Sequence, residues 1–132
     1  MKKKSSGKQF DYEFRAVTDE DLARENTVIE YVSQNLLRWQ AEGHVSDMVI
    51  EAGDKTDEPI RTRGWTHWHH LYSPRQILML ALVHEEIKKQ PSNSAELEIF
   101  FSRLLDWSTK LCRYGTGASR ESIAQTLSLI HI

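Results

Sequence analysis

The chain has 132 residues, enough for one ordinary domain, and its 39% hydrophobic and 27% charged residues are typical of a globular protein in water. Its formal net charge of -2 produces no overall field that would attract nucleic acid or an anionic membrane, so any such binding has to be local. The one cysteine, Cys112, excludes an internal disulfide, and no apolar run approaches the roughly 18 to 20 residues of a membrane span, so we expect a cytoplasmic protein without a membrane partner.

The N-terminal residues are predicted to contain a disordered start and one short strand. Met1–Lys8 is polar and has no apolar segment behind its lysines, so it is not a signal peptide. Gln9–Val17 alternates Phe10, Tyr12 and Phe14 with polar residues. This alternation has the period of a half-buried β-strand.

A first long helix is predicted from Thr18 to about Glu42. Asp21 follows Thr18 at the spacing of a capping box, and the acidic residues of the first turn suit the helix dipole. Gly43 is the residue type that ends helices. One apolar face recurs at helical spacing through Leu22, Ile29, Val32, Leu36 and Trp39.

The segment His44–Thr62 shows no regular period and is predicted to be a long loop, with a brief extended piece at Val45–Glu51. Long irregular connections are uncommon in small domains. The segment is therefore either a functional loop or a loop whose packing partner lies outside this chain.

The central stretch Arg63–Val83 combines an aromatic, histidine-rich loop with a strong helix start. Ser73 is typical of an N-cap, Pro74 of a first helical residue, and Gln76 of a third residue that bonds back to the cap. A core helix is therefore predicted to begin at Pro74. We expect it to be buried on most sides because its apolar surface is wide, comprising Ile77, Leu78, Leu80, Ala81 and Leu82.

A third helix is predicted after Pro91, with Ser92 or Ser94 as its cap and Leu111–Tyr114 at its end. Its apolar residues are Leu97, Phe100, Phe101, Leu104, Leu105 and Leu111. The chain is thus predicted to be mostly α, an α+β fragment with about three main helices and one short strand.

The C-terminal residues are predicted to begin with a flexible turn at Gly115–Glu121, in which Ser119 caps a last short helix. The final segment Leu127–Ile132 is the translation of CTGTCTCTTATACACATC, the transposon end used to fragment DNA for sequencing. We expect this tail to be an artefact and the natural chain to continue beyond about Thr126. The alternative is an ordinary apolar C-terminal segment.

Three histidines in the central loop, His67, His69 and His70, raise the possibility of a metal site, because imidazole is the commonest zinc ligand. Their spacing argues against it, because His67 and His69 would share a face only in an extended strand. Neither cysteine nor carboxylate lies beside them to complete a shell. The alternative is aromatic packing over the helix entrance. Cys112 lies at an apolar helix end, which indicates a structural rather than a nucleophilic cysteine.

A nucleic-acid surface is the more attractive interpretation of the central loop. Arg61, Arg63 and Arg75 are partners for phosphate, and Trp65, Trp68 and Tyr72 offer faces on which bases stack. An alternative remains open for the helix start. In that alternative, Arg75 and Gln76 are first-turn residues that interact with the cap and with a neighbouring carboxylate rather than with nucleic acid.

The stretch Arg63–Leu78, preceded by Lys55–Ile60, resembles a segment of large adenine-specific DNA methylases in which a Gly-aromatic loop leads to a Pro-Arg-Gln-Leu-Leu helix start. Arg103–Asp106, and Ser108 followed by Leu111–Tyr114, look like the Arg-Leu-Ala-Asp and Ser-Leu-Cys-Arg-Trp segments of that family. The resemblance runs in the same order from about Tyr12 to Thr126.

This resemblance implies a Rossmann-like enzyme that transfers a methyl group from S-adenosylmethionine to adenine in DNA after flipping the base out of the duplex. The family's glycine-rich cofactor motif and its Asp-Pro-Pro-Tyr catalytic motif do not occur in these residues, so no catalytic or cofactor residue carries over. We expect the chain alone to be inactive, with the remainder of the methyltransferase as its partner. The alternative is a self-standing helical module that binds nucleic acid or protein. The candidate nucleic-acid-binding residues are Arg63, Trp65, His67, Trp68, Arg75, Gln76 and Arg113.

Overall fold

A computed structural model of the chain describes residues 15–54, 56–90, 92, 94–111, 113–117 and 120–124. The prediction of a mostly helical chain is confirmed there, and no helix in these ranges combines the length and apolar character that crossing a bilayer requires. The elements are α1 (Asp19–Ala41), α2 (Asp57–Arg63), a 3₁₀ helix (Trp68–Leu71), α3 (Pro74–Lys88), α4 (Ser94–Trp107), β1 (Arg113–Gly117) and β2 (Arg120–Ala124).

Helix α1 begins and ends as predicted. The Thr18 amide donates to Asp21 Oδ2 at 3.0 Å, and the Asp21 amide donates to Thr18 Oγ1 at 3.3 Å, which completes the capping box. At the other end the Gly43 amide donates to the Gln40 carbonyl at 3.1 Å. Gly43 has a φ of 77°, the left-handed conformation that closes a helix C-terminus.

Helix α3 also begins as predicted. The Ser73 amide donates to Gln76 Oε1 at 2.7 Å, and the Gln76 amide faces Ser73 Oγ at 3.4 Å. Pro74 occupies the first turn, where its missing N–H has no intrahelical partner to lose. The three local signals therefore agree with the tertiary structure.

Among the described residues, two clusters of buried apolar side chains lie on either side of α3. Ile77 and Ala81 pack with Val32 and Trp39 of α1. Leu80 and Ile87 pack with Phe101 of α4. The expectation that α3 is buried on most sides holds for these two sides only, because Met79 and Leu82 are each 42% exposed. Leu22 and Ile29 of the predicted apolar face of α1, and Phe100 of α4, are exposed as well.

The segment predicted as a long loop contains helix α2. Pro59 falls in its first turn, where amide hydrogens have no partner within the helix, so proline is tolerated there. The Gly53 amide donates to Asp57 Oδ1 at 3.0 Å and so fixes the entry to the helix. The predicted extended piece is reduced to an isolated antiparallel bridge between Val49 and His67.

The C-terminal part differs from the sequence prediction. Helix α4 ends at Trp107 rather than near Tyr114, and Ser94 is its first residue. Strands β1 and β2 pair antiparallel, with Arg113 opposite Ala124. The predicted short helix after Ser119 is therefore wrong, because cross-strand pairing replaces local helix bonding.

Several predictions fall outside the described ranges. The polar start 1–8, most of the predicted strand at Gln9–Val17 and the tail Leu127–Ile132 lie there. Residues 15–17, which are described, have no regular secondary structure.

Candidate nucleic-acid interface

Two cationic side chains lie close to the Trp65 ring. Gly64 ends α2 with a φ of 66°, and this left-handed residue lets the chain reverse directly after Arg63. The Arg63 guanidinium carbon consequently lies 5.0 Å from the centroid of the Trp65 ring. Lys110 Nζ lies 5.3 Å from the same ring. We call Arg63, Trp65 and Lys110 the Trp65 platform.

Lys110 is held in the platform by the 3₁₀ helix. Its amide donates to the Leu71 carbonyl at 2.8 Å, and its ammonium donates to the His70 carbonyl at 3.0 Å. Partial desolvation lowers the pKa of Lys110, although the residue as a whole remains exposed. Sequence reasoning missed Lys110 because it follows α4, far from Trp65 along the chain, and no local pattern marks it.

The three loop histidines pack against one another. The ring centroids of His69 and His70 are 4.5 Å apart, and those of His67 and His70 are 5.5 Å apart, both nearly edge to face. The Thr66 amide donates to His70 Nδ1 at 3.1 Å. Burial is the main cause that lowers the pKa of His69 and of His70, and neighbouring positive charge adds to it. This arrangement supports the packing interpretation.

His67 remains at the edge of this histidine group. It is half-buried, and its Nδ1 lies 2.9 Å from Thr66 Oγ1. Its backbone forms the bridge to Val49. The bridge therefore fixes the position of His67, while its ring contacts the other two histidines.

Trp68 lines a cavity of about 430 Å³ between the end of α1, the 3₁₀ helix, α3 and α4. Tyr72 lines the same cavity, and its hydroxyl donates to the Leu105 carbonyl at 3.1 Å. Burial, and then the charge of Asp106, raises the pKa of Tyr72 to about 12. Trp68 and Tyr72 thus line the cavity, and the Tyr72 hydrogen bond connects the loop to α4.

Two of the remaining candidates, Arg75 and Gln76, are engaged in other contacts. Arg75 forms an ion pair with Glu25 of α1, and the amide oxygen of Gln76 is used in the α3 capping box. This is the arrangement of the alternative interpretation, in which both residues serve the helix start. Arg113 is the first residue of β1, and its side chain lies outside the part that the structure describes.

Comparison of the chain with known protein families, with curated proteins and with solved structures gives no match.

Proposed function

We propose that the chain is a region of an adenine-specific DNA methyltransferase and that it contacts DNA through the Trp65 platform. The resemblance of the central and C-terminal segments to that family supports the first part of the proposal. The proximity of both Arg63 and Lys110 to the Trp65 ring supports the second part. S-adenosylmethionine, the Rossmann-like fold and base flipping belong to the complete enzyme in this proposal.

The platform combines the two kinds of group that bind a nucleic-acid strand. Guanidinium and ammonium groups bind phosphate, and an indole ring stacks on bases of any sequence. The two cations also lie within the range of a cation–π interaction, which orders the ring before a ligand arrives.

No carboxylate among the described residues pairs with the basic groups of this region. Within the described ranges, Arg61, Arg63 and Lys110 form no ion pair. Arg38 and Arg75, by contrast, are paired with Glu85 and Glu25. The basic groups next to Trp65 are therefore available to phosphate, although the net charge of the whole chain is negative.

A second candidate function, a self-standing helical module that binds a protein, is favoured by the outer side of α4. Ile99 is 70% exposed, Phe100 64% and Trp107 48%. Exposed apolar side chains grouped on one element indicate a protein contact. In the methyltransferase proposal the remainder of that enzyme covers them.

Binding of a fluorescently labelled single strand, measured by anisotropy at several salt concentrations, tests the platform. We expect Arg63→Gln and Lys110→Gln to weaken binding to all sequences and to reduce the salt slope by about 0.7 for each lost phosphate contact. Trp65→Ala should weaken binding by about 1 to 3 kcal/mol. Lys89→Gln is the matched control, since Lys89 is paired with Glu86.

The platform proposal is wrong if Arg63→Gln and Lys110→Gln, both shown to be folded by circular dichroism, bind with unchanged affinity and salt slope. The methyltransferase part has a separate test. The source DNA is sequenced past codon 126, where a downstream Asp-Pro-Pro-Tyr motif supports it and a native stop codon supports the self-standing module.

A further inference from the structure

The end of α1 places an imidazole in the space between α1 and α3. The His44 amide donates to the Trp39 carbonyl at 2.8 Å, which turns the chain back along the helix after the left-handed Gly43. The His44 side chain is only 10% exposed. Its Nδ1 lies 3.2 Å from Nδ1 of His84 on α3, and its Nε2 lies 3.6 Å from Glu42 Oε2.

The hydrogen-bond partners decide where the protons of this histidine pair lie. His84 Nε2 is 3.2 Å from Glu98 Oε1. The ammonium of Lys88 is the main cause that lowers the pKa of Glu98, so this group is a carboxylate and can only accept. Nε2 of His84 therefore carries hydrogen. In a neutral His84 the Nδ1 atom accepts, and the donor is Nδ1 of His44.

A neutral His44 with hydrogen on Nδ1 has a lone pair on Nε2. That lone pair faces the carboxylate of Glu42 at a distance too long for a hydrogen bond. One ligand atom each of Glu42, His44 and Glu85 lies within 4.8 Å of the others. Electron-pair donors that face one another are stable when a cation lies close to them, and Arg38 fills that role for the two carboxylates in the structure while Nε2 of His44 has no hydrogen-bond donor among the described residues.

We propose that Glu42, His44 and Glu85 bind a divalent first-row transition metal ion of the Zn²⁺ type. One imidazole and two carboxylates are suitable Zn²⁺ ligands, and three protein ligands leave a fourth position open. Metal–ligand bonds of about 2.0 to 2.2 Å require the ligand atoms to approach to roughly 3.3 Å in a tetrahedral site. The Glu42–His44 separation of 3.6 Å needs only a small side-chain movement to reach it.

His84 and Glu98 do not bind the proposed metal but orient the His44 ring. A histidine that binds a metal usually donates its other N–H to a fixed acceptor, which selects the tautomer and orients the ring. His84 provides that acceptor for His44 and is itself oriented by Glu98. The His84 ring is further fixed by stacking on Phe101, with centroids 4.7 Å apart and planes inclined by 7°. The His44 ring is thus already oriented before a metal binds.

Arg38 competes with the proposed metal for the carboxylates of Glu42 and Glu85. Its NH1 group donates to Glu42 Oε2 at 2.8 Å and to Glu85 Oε1 at 2.9 Å, so it compensates both carboxylates without a metal. Its side chain is 46% exposed, so the guanidinium can move to solvent at the loss of these contacts and of its bond to Asn35 Oδ1. Removing the guanidinium should therefore tighten metal binding, whereas a purely structural role of this cluster predicts no such gain.

Isothermal titration of the full chain with ZnCl₂ at pH 7 tests the proposal. We expect one saturable site that Glu85→Gln weakens by at least about 10-fold and His84→Gln by about 10- to 100-fold. Arg38→Gln should bind Zn²⁺ several-fold more tightly. Glu86→Gln is the matched control, because Glu86 is adjacent to Glu85 but pairs with Lys89. Its affinity should stay unchanged.

Co²⁺ gives a second readout that does not depend on a variant. Binding to the unmodified chain should produce the visible absorption of a low-symmetry, four-coordinate site, and Zn²⁺ should remove it. Absence of saturable Zn²⁺ binding overturns the proposal and leaves Arg38 as the cation that compensates Glu42 and Glu85. Zn²⁺ binding that is lost in His69→Gln but retained in Glu85→Gln also overturns it, since the loop histidines would then be the ligands.

Discussion

Replacing Trp39 by phenylalanine tests how α1 is held against α3. Trp39 is fully buried, and its indole Nε1 donates to Glu85 Oε1 at 2.7 Å. This bond and the Arg38 contact lower the pKa of Glu85, in that order, so the acceptor is a carboxylate. Phenylalanine keeps an aromatic ring in the core but cannot donate this bond.

Two losses add up in Trp39→Phe. A hydrogen bond to a charged group contributes about 1.5 to 3 kcal/mol, and the lower end applies because Glu85 retains Arg38 and its side chain is 20% exposed. The smaller ring leaves about 40 Å³, which at roughly 24 cal/mol per Å³ costs about 1 kcal/mol. We therefore expect the free energy of unfolding to fall by about 2.5 kcal/mol.

Urea unfolding followed by circular dichroism at 222 nm measures this difference from the transition midpoint and slope. Trp68→Phe is the matched control, because the Trp68 indole is half-buried and has no side-chain hydrogen bond to any described residue. It should lose under about 1 kcal/mol. A Trp39→Phe variant that unfolds within 1 kcal/mol of the unmodified chain would refute the charge-assisted bond as an anchor of α1.

Two further predictions concern α3 and the loop before it. Ser73→Ala removes the N-cap acceptor and should lower stability by about 0.5 to 2 kcal/mol, and an unchanged urea midpoint would contradict the cap. Stability should also fall as pH drops below about 6.5, because the lowered pKa of His69 and of His70 lets the unfolded chain take up protons first. His70→Gln should reduce this dependence, and an identical pH profile in that variant would show that His70 does not contribute.

Local sequence signals determined where the two best-defined helices begin. The Thr18 and Ser73 capping boxes involve residues three positions apart, so they form whenever their own segment becomes helical. The apolar period of α1 likewise identified Val32 and Trp39, which are buried. It also included Leu22 and Ile29, which are exposed, because α3 covers only part of the helix face that the period defines.

The predictions at α2 and at the chain end are wrong because local sequence patterns do not specify contacts with other parts of the chain. Glycine, aspartate and proline near Asp57 occur in loops and in first turns of helices alike, and composition does not separate the two. The hairpin of β1 and β2 depends on pairing between two short segments, neither of which carries a strong strand period.

The candidate sites divide in the same way between sequence and tertiary structure. Arg63 and Trp65 are near neighbours in the chain, so sequence alone brought them together, whereas Lys110 joins them only because α4 ends beside the 3₁₀ helix. His44 follows α1, His84 lies on α3 and Glu98 on α4, and no spacing rule connects them. Capping and periodicity are properties of adjacent residues, but these contacts depend on which faces of α1, α3 and α4 pack together, and that is decided by burial over the whole chain.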